Sequence, residues 1–138
     1  MKRSGMILAV LLLTTAARAA DLTWEHDYDK ALASAKESKK IVMVDLYTDW
    51  CGWCERLDRD VFANPDIQVK LAKNFVPLKI NPEKSQKGSE LAGKFKLRGY
   101  PYIAFIDADG NKISVIEGYL PAADFGNALD GVVKKSGK

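Results

Sequence analysis

A junction constrains this sequence more than any other feature. Ile41-Val42-Met43-Val44-Asp45-Leu46-Tyr47 is a short apolar run rich in β-branched side chains, the pattern of a buried strand. Just beyond it, Cys54, Leu57 and Val61 recur at helical spacing, with Glu55, Arg56, Asp58, Arg59 and Asp60 on the other faces. Between the two runs stands Trp50-Cys51-Gly52-Trp53-Cys54, which holds both cysteines of the chain. A strand that gives way to a helix over so short a distance places Cys51 at the helix head. There the first backbone N–H groups lack intrahelical partners and the helix dipole is positive. Both favour an ionised sulfur, and the thiolate is the nucleophilic form.

The remaining runs supply a frame for that junction. Leu22-Thr23-Trp24 reads as a short edge strand or an apolar lead-in. From about Asp27 to Lys39, Tyr28, Ala31, Leu32 and Ala35 share one helical face. His26, the sole histidine, precedes that helix and reads as a surface or capping residue. Asn64-Pro65-Asp66 stops or kinks the cysteine-bearing helix. Ile67, Val69 and Leu71 then lead to a second apolar strand, Phe75 to Asn81, with Pro77 suited to its start. Pro82 to Ser89 reads as a loop, Leu91, Ala92 and Phe95 as a short helix, and Arg98-Gly99-Tyr100-Pro101 as its break.

Tyr102 to Ile106 and Lys112 to Glu117 flank Asp107-Ala108-Asp109-Gly110-Asn111, an antiparallel hairpin around an Asp-Gly turn. The acidic turn does not fit a calcium loop: its glycine falls two places early, and Lys112 occupies the required glycine position. After the break Gly118-Tyr119-Leu120-Pro121, with Pro121 placed for a helix start, Phe125, Leu129, Val132 and Val133 form a last amphipathic helix. Strands alternating with helices and then a hairpin predict an α/β domain. Its mixed central sheet pairs two strands in parallel, adds the antiparallel hairpin, and carries helices on both faces.

The first 19 residues read as a signal peptide outside that domain. Lys2 and Arg3 open it, Met6 to Ala17 is apolar, and Ala17-Arg18-Ala19 is a small-x-small cleavage site. An apolar core of about 12 residues falls short of the roughly 20 that span a bilayer, so no stable membrane anchor is expected. The expected location is a bacterial periplasm. The chain carries 21 Lys+Arg against 18 Asp+Glu, and the leader holds three of those bases and no acid. A domain over 20–138 is therefore close to neutral and gives no reason to expect nucleic acid. Its length suits one core, and a monomer is expected.

Two cysteines in an exported chain could be a structural staple, but so short a loop restricts the unfolded chain little. They could instead hold Cu(I), although no second cysteine pair and no cluster of His or Met accompanies them. A third possibility is a reactive dithiol. No cofactor and no other metal site is read from the residues.

The buried strand, the Trp-Cys-x-x-Cys that opens a helix, and Gly99-Tyr100-Pro101 before a hairpin together resemble the thioredoxin superfamily across nearly the whole of 20–138. Within it the chain is similar to exported bacterial thioredoxin-like proteins and to the C-terminal periplasmic domain of the disulfide interchange reductase DsbD. The resemblance implies a thioredoxin-like fold and a redox-active Cys51–Cys54 disulfide, with Cys51 the attacking thiol and Cys54 the resolving one. Asp45, six residues before Cys51, matches the family's buried acid beneath the second cysteine. An aspartate within an apolar strand must in any case be paired or protonated. Lys79 matches a lysine near that acid, or else lies at a solvated strand edge. Tyr100-Pro101 matches the dipeptide whose proline is cis and faces the cysteines, so that the Tyr100 backbone could pair with a substrate segment as an added strand.

Trp50 and Trp53 could form an apolar rim for a peptide; Trp50 could equally be core. The chain departs from thioredoxin itself at Gly52-Trp53, where thioredoxin has Gly-Pro. Redox potentials in this superfamily run from about −270 to −120 mV, equivalent to about 7 kcal/mol at about 1.4 kcal/mol per 30 mV. The implied activity is thiol–disulfide exchange on protein disulfides, in the reducing direction, with electrons from an inner-membrane thiol donor. An oxidase or isomerase of the same fold is the alternative.

Overall fold

The computed structural model describes residues 22–138, so the expected leader lies outside the described residues. In order come α1 (Tyr28–Ser38), β1 (Ile41–Leu46), α2 (Gly52–Leu57), α3 (Pro65–Asn74), β2 (Phe75–Ile80), α4 (Gln86–Lys94), β3 (Tyr102–Ile106), β4 (Lys112–Glu117) and α5 (Ala122–Lys135). The four strands form one sheet in the order β2-β1-β3-β4. β1 runs parallel to β2, with Asp45 opposite Lys79, and antiparallel to β3; β4 closes the hairpin antiparallel to β3.

Alternation along β1 builds two cores. Ile41 and Met43 face one side, with Phe75, Ile103 and Phe105, and pack under Leu57, Val61, Phe62, Ile67, Leu71, Phe125 and Leu129. Val42, Val44 and Leu46 face the other side, with Val76, Leu78, Ala104 and Ile106, against Ala31 and Ala35 of α1 and Leu91 and Phe95 of α4. Each fully buried Leu, Ile or Phe side chain is worth roughly 1.5–3 kcal/mol of burial. With both faces covered, every residue of β1 is buried, which accounts for the near-continuous apolar run. Asp45 is the one exception in that run, and period two puts it on the face that α2 covers.

Local structure departs from expectation in three places. Ile67, Val69 and Leu71, read only as leading to the second strand, belong to a helix of their own, α3. Asn64 caps it by accepting from the Asp66 and Ile67 N–H groups, and Pro65 fills the first turn, where its missing N–H costs nothing. Ile67 and Leu71 are buried one turn apart, whereas Val69 points outward and is 59% exposed, so the apparent alternation was coincidental. The segment read as a loop to Ser89 turns helical at Gln86, where the Ser85 hydroxyl accepts from the Gly88 N–H. Gly88 permits that turn to pack closely, since a Cβ there would lie 3.0 Å from the Pro82 Cα.

Pro77 sits third in β2 and does not begin it. β2 is the sheet's outer strand on that side, where the missing N–H breaks no interior ladder. Residues 22–24 form no strand; one parallel bridge, Glu25 to Leu78, covers the edge, through Glu25 N–H to Pro77 O at 2.8 Å and Lys79 N–H to Glu25 O at 2.9 Å. The hairpin turn is as expected: Gly110 has φ +87°, and Asp107 Oδ1 accepts from the Asp109 and Asn111 N–H groups at 2.9 Å each. No helix among the described residues is long and apolar enough to cross a membrane.

Candidate active site

Both cysteines lie where the strand hands over to the helix. Cys51 is the N-cap of α2 and joins Cys54 in a disulfide with Cα atoms 5.3 Å apart. The Cys54 N–H donates to Cys51 Sγ at 3.1 Å, so an otherwise orphaned amide at the helix head is aimed at that sulfur. Cys54 faces inward with Leu57, as the helical spacing predicted. Beyond Leu57 the helix widens into a π turn over Asp58–Phe62, which keeps Val61 and Phe62 on the core side.

Asp45 lies on the sheet face beneath that helix and is 1% exposed. Its Oδ2 accepts from Lys79 Nζ at 2.8 Å, and its Oδ1 has no hydrogen-bond partner among the described residues. Burial pushes the carboxyl up to about 6, against the pull of the Lys79 ammonium. Lys79 is thus not at a solvated edge. Its ammonium bridges Asp45 and Asp58, the latter at 2.6 Å, beneath the faces of Trp24, Tyr47 and Phe62 at 5.0, 4.8 and 5.6 Å. Burial works against this ammonium, but the two carboxylates outweigh it and hold its pKa above the ordinary lysine value.

The outer rim is aromatic. Trp50 is 68% exposed and Trp53 54%, so neither is core. The Trp50 indole N–H donates to both Glu83 carboxylate oxygens, at 3.0 and 3.1 Å, while its ring meets Tyr100 edge-on at 5.8 Å. Trp53 lies 5.4 Å from Tyr119, and the Arg56 guanidinium sits 5.3 Å from each of those two rings. The Tyr100–Pro101 bond is cis and Pro101 is buried. His26 is exposed, with Nδ1 3.2 Å from the Lys79 carbonyl, and takes no part in the cysteine site; Asp27, not His26, caps α1.

Sequence reasoning singled out Asp45, Lys79, Trp50, Trp53, Tyr100 and Pro101 but missed the residues that pack against them. Trp24, Asp58, Glu83, Arg56 and Tyr119 come from four separate segments. Only Arg56 and Asp58, on the cysteine helix itself, carried a positional signal.

A dithiol where a buried strand gives way to a helix, a buried acid on the sheet face which that helix covers, and a cis proline at the start of the hairpin, on a four-stranded mixed sheet, define a thioredoxin-fold redox protein. A family model, the thioredoxin-like domain, matches residues 28–132, and the chain belongs to that family of disulfide oxidoreductases. Among curated proteins it is 36% identical over 103 residues to the thiol:disulfide interchange protein DsbD of Vibrio vulnificus, which covers 72% of this chain but only 17% of that protein's length. Among solved structures, a thioredoxin from Thermus thermophilus superposes with a TM-score of 0.76 at 28% identity, over 85% of this chain and 91% of that one. The oxidised C-terminal domain of Neisseria meningitidis DsbD shares the fold, with a TM-score of 0.66 at 19% identity, over 79% and 98% of the two chains.

Proposed function

We propose that this protein is a periplasmic thiol–disulfide reductase that acts as a monomer on disulfides of other exported proteins. The observation that carries the reading is the Cys51–Cys54 disulfide at the head of α2, with the Cys54 N–H aimed at Cys51 Sγ. Starting from the reduced pair, the Cys51 thiolate attacks one sulfur of a substrate disulfide. A mixed disulfide forms, and the other substrate sulfur leaves as a thiolate that takes up a proton. Cys54 then loses its proton and attacks Cys51 Sγ, releasing the second substrate thiolate. Two electrons have passed to the substrate, and the protein is left as the disulfide.

Asp45 suits the proton transfer at Cys54. A carboxyl poised near 6 can hold a proton or release it close to neutral pH, and Lys79 keeps it oriented. Trp50, Trp53, Tyr100 and Pro101 form the face on which the substrate segment rests, paired to the Tyr100 backbone. The reducing direction rests on the kinship with disulfide interchange proteins, and the location on the leader read at residues 1–19. Outside the cytoplasm, renewal of the dithiol calls for an inner-membrane thiol donor.

Replacing Cys54 by Ser removes the resolving thiol and should leave substrate proteins linked to Cys51. Adducts in periplasmic extract that disappear with dithiothreitol are expected. A Cys54→Ser protein that captures nothing, or captures equally after Cys51→Ser, would remove the mechanism.

A further inference from the structure

At the end of the sheet where β1 begins and β3 ends, away from the dithiol at the far end of β1, a cavity of about 490 Å³ opens between the C-terminal ends of α1 and α5 and the β3–β4 turn. Six lysines line it: Lys36, Lys39, Lys40, Lys112, Lys135 and Lys138. Among the described residues, the acids in the lining are Asp107 and Asp109. Asp107 spends its carboxylate on the hairpin, accepting from the Asp109 and Asn111 N–H groups and the Asn111 side chain. The lining side chains therefore leave a surplus of positive charge in one concavity of a domain whose charges balance as a whole.

Part of this charge has a structural explanation. Helices α1 and α5 present their negative ends here, and lysines there complement the dipole. Lys40 Nζ donates to the Ala72 carbonyl at 2.8 Å, and Lys138 Nζ to the Lys39 carbonyl. Lys36, Lys39 and Lys135 also stand in or just past the last turns of α1 and α5, but neither they nor Lys112 spend their ammonium groups on a carbonyl. Among the described residues, the ammonium groups of Lys36, Lys39, Lys112 and Lys135 make no hydrogen bond and no ion pair, although three separate segments bring them to one cavity. Six lysines around one concavity outnumber its two carboxylates, and a concave, partly apolar wall focuses the field of that surplus. The volume is that of a small-molecule site.

We propose that this cavity is a binding site for a phosphate-bearing polyanion, with the four unpaired lysines as its ligands and Lys40 and Lys138 as fixed parts of its wall. An ammonium is a point charge with three donors and binds phosphate without the planar match that a guanidinium requires. Apolar Ile41 and Ile113 in the lining give the non-ionic part of a ligand a surface to rest on. The ligand could be soluble or an anionic phospholipid headgroup, since both present the same chemistry. The site is independent of the dithiol, so its failure would leave the redox reading untouched.

The test is a titration of the isotope-labelled protein with inorganic tripolyphosphate at 0.15 M salt, where the Debye length of about 8 Å suppresses diffuse attraction. Saturable amide shifts confined to residues 36–41, 107–113 and 135–138 are expected. A Lys36→Gln/Lys112→Gln/Lys135→Gln variant changes only exposed side chains and should bind at least tenfold more weakly, with unchanged dithiol chemistry. Sedimentation with phosphatidylglycerol vesicles, set against phosphatidylcholine, separates the sources. Vesicle binding that tripolyphosphate displaces assigns the headgroup, and tripolyphosphate binding without vesicle binding assigns a soluble ligand. Absence of localised shifts, equal binding by the triple variant, or vesicle binding that tripolyphosphate does not displace would each overturn the site.

Discussion

Replacing Asp45 by Asn should stabilise the protein, and by an amount that depends on pH. The carboxyl rises from 3.8 to about 6 on folding because burial disfavours its charged form more than Lys79 favours it. Between those values the folded state holds a proton that the unfolded chain has lost, so stability falls as pH rises through that window. The contribution is fully present below the unfolded value and is gone once pH passes the folded one. At about 1.36 kcal/mol per pH unit, the cost of keeping Asp45 ionised at pH 7.5 is about 3 kcal/mol.

An amide has the carboxyl's shape without the charge, and Lys79 keeps Asp58 as a partner. Asp45→Asn is therefore expected to match the wild type near pH 4 and to exceed it by about 3 kcal/mol at pH 7.5. For a domain of this size the gap corresponds to roughly 10 °C in Tm. Urea denaturation of the oxidised proteins from pH 4 to 8 measures it directly. Two curves that run parallel across that range, or a variant less stable than the wild type at pH 7.5, would refute a buried carboxyl of raised pKa.

Two further perturbations separate rim from scaffold. Trp50→Ala removes an exposed ring held by Glu83 and Tyr100, and should lower kcat/KM for an oxidised peptide roughly tenfold, about 1.4 kcal/mol, through KM with kcat little changed; a fall in kcat alone would place Trp50 in the chemistry. Asn64→Ala deletes the α3 cap and should cost about 1 kcal/mol in urea denaturation with the disulfide potential unmoved; no loss of stability would mean that the cap contributes nothing.

The sequence disclosed those parts of the molecule that rest on local pattern. β1, α2, the hairpin and α5 stand where periodicity and turn residues placed them. α3 was hidden because Ile67, Val69 and Leu71 alternate as a strand would, and only burial distinguishes the outward Val69 from its neighbours. At the site, the cysteine spacing, Asp45 and the Tyr100-Pro101 pair were legible. Lys79 was ambiguous because a lysine in an outer strand can face solvent or core, and what decides it is a lid from distant segments: Trp24 before α1 and Phe62 after α2. Glu83 and Tyr119 carried no signal at all, since each acts only through a tryptophan that the fold brings to it. The lysine-lined cavity was invisible for the same reason, its lysines being spread over three regions of a chain whose overall charge is unremarkable.

The equilibrium potential of the Cys51–Cys54 pair, measured against a glutathione redox series at pH 7, tests the proposed direction of electron flow most directly. A reductant of protein disulfides should lie between about −200 and −270 mV, on the thioredoxin side of the superfamily range. A value near −120 mV, where the pair would accept electrons from substrate thiols, would contradict a reductase and make the protein an oxidant.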